Sequence, residues 1–138
     1  MGLQLVPLAT LRIMIRQQTR LNDLPVGGRL VGEAESVDLA GDGIRASMAG
    51  TSSDWLTIHH DGSVSVDARL LLATGSGRHL TVAYRGKGIA LPSTGAPVYI
   101  VATFETDDPD LAWLNGVQAV GKGVRDGSSL AYELYRLD

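Results

Sequence analysis

An all-β chain closed into one small antiparallel barrel is predicted by three features: many glycines, short alternating apolar segments, and turn signals between those segments. The 138 residues include 17 glycines, only 5% aromatics and 44% hydrophobic residues. That apolar share can fill one core and argues against disorder, and the length fits a single domain over residues 1–138. Long helical patterns are scarce, whereas glycine-bearing turns recur along the chain. Closing a sheet of about eight or nine such strands removes its edges, and a barrel of that size has room for side chains or one small ligand.

Taken in order, Leu3 to Ile15 is mostly apolar and reads as a first strand, with Pro7 marking an edge or a bend. Gln17 to Gly28 is polar, ends in Leu24-Pro25-Val26-Gly27-Gly28, and reads as a loop. Arg29 to Asp38 is a short strand, Gly41-Asp42-Gly43 a turn, and Ile44 to Met48 alternates after it. Trp55 to His59 is a strand closed by the hairpin signal His60-Asp61-Gly62. From Val64 to Ala73, a period of two puts Val64, Val66, Ala68, Leu70 and Leu72 on one face; Ser65, Asp67, Arg69 and Leu71 take the other. Gly75-Ser76-Gly77 turns the chain into a strand from His79 to Arg85, and a loop from Gly86 to Pro97 leads to a strong strand, Val98 to Glu105. One short helix follows. Asp108 suits its N-cap, Pro109 its first position and Asn115-Gly116 its exit. Val117 to Val124 and Ser129 to Leu137 form a last hairpin across Arg125-Asp126-Gly127-Ser128.

Several function classes are disfavoured. A net charge of −3 gives no electrostatic reason to bind nucleic acid or an anionic membrane surface. With 0 cysteines, disulfides and thiolate chemistry are excluded. No apolar run approaches the ~20 residues of a membrane span. The start, Met1-Gly2-Leu3-Gln4-Leu5-Val6, has neither a basic lead nor a cleavage site, and Val6 stands where a myristoylation signal wants Ser or Thr, so a cytoplasmic location is expected. His59 and His60 are consecutive in or beside a strand and point opposite ways, and His79 is the remaining histidine, so no metal site is expected. Gly75-Ser76-Gly77 and Gly121-Lys122-Gly123 lack the strand–loop–helix context of a phosphate cradle, and no G-x-S-x-G elbow occurs. No cofactor is expected.

Four groups of residues could carry chemistry. Asp67 and Arg69 point the same way; inside a lumen, Arg69 would hold an oxyanion and Asp67 would move a proton, and outside they are an ordinary solvated pair. Glu105 ends an apolar strand on the face of Tyr99, Val101 and Thr103, where the edge of a partly apolar cavity would raise its pKa. Trp113 would cap the cavity mouth and Asn115 would bond a ligand carbonyl, or else they are a core plug and a helix exit. Tyr84 would donate a hydrogen bond into the lumen or face outward.

Asp54-Trp55, Asp61-Gly62, Asp67-Ala68-Arg69, Phe104-Glu105-Thr106 and Ala112-Trp113-Leu114-Asn115, with a looser Tyr132-Glu133-Leu134-Tyr135, resemble the family known as domain of unknown function 3237 (UPF0311). The resemblance runs from about Asp54 onward and fits Gly28 to Gly50 only roughly. It implies a small antiparallel barrel similar to allene oxide cyclase, dirigent and lipocalin-like barrels, whose lumens bind or cyclise apolar molecules. It puts Asp67, Arg69, Glu105, Trp113 and Asn115 at motif positions. Taken with the reading of the residues, Asp67, Arg69 and Glu105 are the expected catalytic groups, with Trp113, Asn115, Tyr84, Tyr99 and Trp55 around the substrate. Leu70 stands where an aromatic is usual, and Val101-Ala102-Thr103 where Arg and Pro are frequent, which implies a reshaped pocket.

The resulting expectation is a cofactor-independent cyclase, isomerase or lyase that uses a dry lumen for acid/base chemistry on an apolar, oxygenated small molecule, in secondary metabolism. The alternatives are a lipocalin-like binding protein without turnover and an interaction module using the outer barrel face. The small molecule is the expected partner, and a homo-oligomer is left open.

Overall fold

The computed structural model describes residues 1–138. Eight strands form a closed antiparallel barrel in simple meander order: β1 (Leu5–Leu24), β2 (Gly27–Gly41), β3 (Ile44–His59), β4 (Val64–Thr74), β5 (His79–Gly88), β6 (Val98–Thr106), β7 (Ala119–Asp126) and β8 (Ser129–Leu137). β8 pairs back onto β1, so no edge remains. Tight turns join most neighbours, with left-handed glycines at Gly43, Gly62, Gly77 and Gly127 where the hairpin signals stand.

The polar stretch expected as a loop, Gln17 to Gly28, is instead a projecting hairpin arm in which β1 and β2 stay paired to Leu24 and Gly27. Its β1 side is exposed on both faces, so backbone pairing rather than apolar patterning holds it, and periodicity gives no strand signal there. Ile44–Met48 and Trp55–His59 are one strand, irregular between Met48 and Ser52, where the Leu71 N–H donates to Ser52 Oγ at 3.2 Å. Pro7 lies at a register shift against β8, which selects the bend over the edge.

The predicted alternation of β4 holds: Val64, Val66, Ala68, Leu70 and Leu72 are buried, while Asp67 and Arg69 are exposed. The barrel interior is filled by a core of 26 buried residues, chiefly aliphatic, joined by Phe104, Tyr84 and Tyr132. This corrects the expectation of a hollow lumen. Eight strands enclose a bore just wide enough for side chains, and here large aliphatics occupy it.

The two ends differ. At one, a 3₁₀ segment, Pro109–Gly116, drives Leu111 and Leu114 into the core. Asp108 caps it by accepting from the Asp110 N–H at 3.0 Å, as its sequence position predicts. At the other end lie the arm, the His60–Gly62 turn, the Gly127 turn and a loop between β5 and β6 carrying the short 3₁₀ turn Pro92–Thr94. No helix is long and apolar enough to cross a membrane.

Candidate functional site

The expected catalytic residues do not meet inside the barrel. Asp67, Arg69 and Glu105 are all on the outer face, in water. Asp67 Oδ1 lies 3.9 Å from Arg85 Nε in an exposed pair rather than beside Arg69 in a lumen. The physical reason is the wholly apolar opposite face of each strand: a filled bore claims Val66, Ala68 and Leu70 from β4 and Ala102 and Phe104 from β6, and period two sends the charges outward.

The substrate-binding expectations divide. Trp55 and Tyr99, with Asp67 of the expected catalytic set, converge on a groove of about 970 Å³ on the outside of the sheet. Arg69 joins Asp67 in an adjoining hollow of about 270 Å³. Trp113 is half-exposed beside the 3₁₀ segment. Asn115 accepts from the Thr106 N–H at 2.8 Å and donates to the Thr106 carbonyl at 3.1 Å, so its amide clips that segment to the end of β6. Tyr84 alone of the set faces inward, and it is buried.

Tyr84 leads to a residue that sequence reasoning passed over. On the inner face, β3, β4, β5 and β6 contribute one row, Asp54, Ala68, Tyr84 and Ala102, each the register partner of the next. The alanines leave the space that a carboxylate and a phenol need. Asp54 also pairs across to Gly32 of β2, where any Cβ would run into Asp54 Oδ1. Gly123 does the same for Tyr132, whose ring occupies the place of its missing side chain. The Tyr84 and Tyr132 rings lie 5.2 Å apart, tilted by 57°. Two narrow clefts reach this cluster. One, of about 10 Å³, is lined by Asp54, Tyr84 and Gly32. The other, of about 20 Å³, is lined by Asp54, Arg125, Leu91 and Pro92 at the barrel end.

The electrostatics set Asp54 apart from every other acid in the chain. Burial raises its carboxyl from 3.8 to about 6, against the lowering effects of its own N–H, the Arg125 guanidinium and the Gly32 N–H. Tyr84 is pushed well above its ordinary value by burial, then by Tyr132 and Asp54, so its hydroxyl stays protonated. Tyr132 is raised by burial and by Asp54. The Tyr84 hydroxyl is buried and meets no partner in full hydrogen-bond geometry, although the Tyr132 side chain is close enough to act on it. A donor so poorly satisfied in a folded interior is a candidate for bonding a ligand.

A signal for Asp54 existed. Leu56 is apolar and two residues on, so period two places Asp54 on the core side and Trp55 outside. The arrangement can take up a proton at Asp54, donate a hydrogen bond from Tyr84 and add positive potential from Arg125. No three of the His, Asp and Glu side chains come together as a metal site would need.

A comparison with curated proteins returns no match. Among solved structures, the chain is similar to a conserved protein of unknown function from Rhodopseudomonas palustris, with a TM-score of 0.90 and 17% identity over 100% of this chain and 99% of that one. It is also similar to a β-barrel-like protein from Acinetobacter baumannii, with a TM-score of 0.87 and 24% identity over 100% and 98% of the two chains. An enzyme from Penicillium herquei aligns with a TM-score of 0.76 and 19% identity over 99% and 94%. At these identities the likeness is one of fold. The profile of the family described as protein of unknown function (DUF3237) matches residues 3–137, and the chain belongs to that family.

Proposed function

We propose that the protein is an acid/base enzyme acting on an apolar, oxygenated small molecule, with Asp54 as the proton-transferring group at the barrel end and Tyr84 as the oxyanion donor. The observation that carries this proposal is the pairing of a carboxyl raised to about 6 with a buried, poorly satisfied phenol lining the same cleft. A pKa near 6 leaves Asp54 mostly ionised at neutral pH, yet basic enough to take a proton from carbon next to a carbonyl. The electron pair released would move onto the carbonyl oxygen. Tyr84 would donate its hydrogen bond there, inside a dry site where such a bond counts for most. Returning the proton from Asp54 to a different carbon completes an isomerisation. Attack by the enolate on an internal carbonyl, whose oxygen takes the proton from Asp54, gives ring closure, and expulsion of a β-hydroxyl that takes the same proton gives elimination of water.

Arg125 supports the oxyanion through its field, and its Nε donates to the Gly127 carbonyl at 2.7 Å, which holds the side chain at the barrel end. Substrate entry requires the loop between β5 and β6 to lift, because Leu91 and Pro92 line the cleft above Asp54. The Penicillium herquei enzyme shares the barrel, which is compatible with catalysis on this fold and does not extend to its reaction.

The test uses deuterium exchange. Wild type is incubated in D₂O with a panel of cyclic β,γ-unsaturated ketones and aryl ketones, and label entering the α-carbon is followed by NMR. Exchange by Asp54→Asn should fall at least ~10²-fold, and by Tyr84→Phe by a similar factor, whereas Asp67→Asn and Glu105→Gln should exchange at the wild-type rate. Wild-type exchange in Asp54→Asn, or its loss in Asp67→Asn, would overturn the assignment.

A further inference from the structure

A concavity far larger than the clefts at Asp54 lies elsewhere. It is the outer groove, and two adjacent rows of side chains build it. Trp55, Asp67, Arg85 and Val101 are successive register partners from β3 to β6. Lys87, Tyr99 and Lys122 are successive partners from β5 to β7, in the neighbouring outward row. A barrel wall is ordinarily convex, so a groove on it needs a cause. In the inward row between these two, Ile100 is flanked by Gly86 on β5 and Gly121 on β7. A Cβ on Gly86 would strike the Tyr99 carbonyl, and one on Gly121 would strike the Leu134 side chain. With no side chain on either flank of Ile100, the wall can lie against the core, and its outer surface dips.

The contents of the dip are unusual for a solvent-facing sheet. Trp55, Tyr99 and Val101 are each about half exposed, at 51%, 56% and 52%. The groove is lined by three cations, Arg85, Lys87 and Lys122, against one carboxylate, Asp67, on a chain whose net charge is −3. Lys87 and Lys122 take part in none of the molecule's ion pairs. Lys122 Nζ stands 5.9 Å from the centre of the Tyr99 ring, and Lys87 is across from Tyr99 on the other side. A second copy of the chain laid on this face would set a cationic patch against its equal, which is unfavourable. An anion is attracted.

We propose that this groove is a binding site for a small organic anion with a flat apolar body, an aryl carboxylate being the simplest case. The body would lie along Trp55, Val101 and Tyr99, and the carboxylate would reach Lys87 and Lys122. A volume of about 970 Å³ is at the upper end of small-molecule sites. Asp67 would oppose the anion and set a limit on affinity. The site shares no residue with the Asp54 cluster and stands independently of the reaction proposed there.

The experiment titrates the protein with naphthalene-2-carboxylate and, separately, with the neutral naphthalene-2-carboxamide, reading the indole N–H signals of Trp55 and Trp113 by NMR. The Trp55 signal should move and saturate while Trp113, beside the 3₁₀ segment, stays. The carboxylate should bind roughly tenfold more tightly than the amide, and the double variant Lys87→Gln/Lys122→Gln should lose about the same factor. Asp67→Asn should tighten binding by about two- to threefold, and Asp54→Asn should leave it unchanged. Equal affinity for the two probes would overturn the proposal, as would binding that survives the double lysine variant. A probe effect abolished by Asp54→Asn would also overturn it, by moving the site to the barrel end. So would concentration-dependent broadening of Trp55 without any probe, which would mark a second copy as the occupant.

Discussion

Each end of the barrel holds a carboxyl out of bulk water, and the two are treated in opposite ways. At the sealed end, Asp108 is buried but satisfied: the Thr74 and Ser76 hydroxyls and the Asp110 N–H hold its carboxyl below the usual range. At the other end, Asp54 is turned inward among two tyrosines, with too few donors to offset what burial costs, and its pKa rises to about 6. The contrast teaches that depth and hydrogen bonding decide the fate of an acid together: Asp108 is hidden from solvent yet shallow and well bonded, whereas Asp54 is deep and has few donors. Asp108 is built for stability. Asp54 departs from the lowest-energy solution, and such departures are characteristic of functional sites.

The comparison breaks most clearly in the pH dependence of stability. A carboxyl at about 6 in the folded chain and 3.8 otherwise binds its proton more tightly when folded. Its penalty is therefore absent below about pH 4, grows as pH rises toward 6, and is constant above, reaching at most about 3 kcal/mol. Asp54→Asn should remove this term. The variant should unfold at higher denaturant than wild type at pH 7.5, with the advantage gone at pH 4, as read by urea titration. An Asn less stable than wild type at pH 7.5 would show that the Asp54 charge is already satisfied.

Asp108 carries the opposite sign. Its folded pKa is depressed, so its contribution is present above the unfolded value near 3.8 and is lost as pH falls through the lower folded one. Asp108→Ala also removes the cap on the 3₁₀ segment and leaves Ser76 without its 2.8 Å acceptor. The expected effect is smaller, a drop in Tm of roughly 5 °C at neutral pH that shrinks on acidification. An unchanged Tm would mean that Leu111 and Leu114 hold the segment without the cap.

These two acids also mark what the sequence makes legible. Asp108 was legible, because Asp-Pro before a short polar–apolar turn carries its own local grammar, and the hairpin glycines did the same for the strand order. The alternation of β4 divided its residues correctly into two faces. What it did not say was which face a small barrel turns inward, and the motif around Asp67-Ala68-Arg69 drew the charges toward a lumen that apolar side chains in fact fill. Glu105 followed Asp67 outward for the same reason. Asp54 was missed although its spacing from Leu56 pointed it inward, because the room that Gly32, Ala68 and Ala102 leave for a carboxylate beside Tyr84 is set by register and is not local in sequence. The arm of β1 and β2 was illegible because neither face of its β1 side is buried.

The most direct test of Asp54 as a poised acid is a ¹³C-carboxyl NMR titration of the wild-type chain with aspartate side chains labelled. Asp54 should titrate with a midpoint near 6, and Asp108 below the ordinary aspartate value. An Asp54 midpoint at or below about 4, alongside an unremarkable Asp108, would contradict the proposed chemistry at its source.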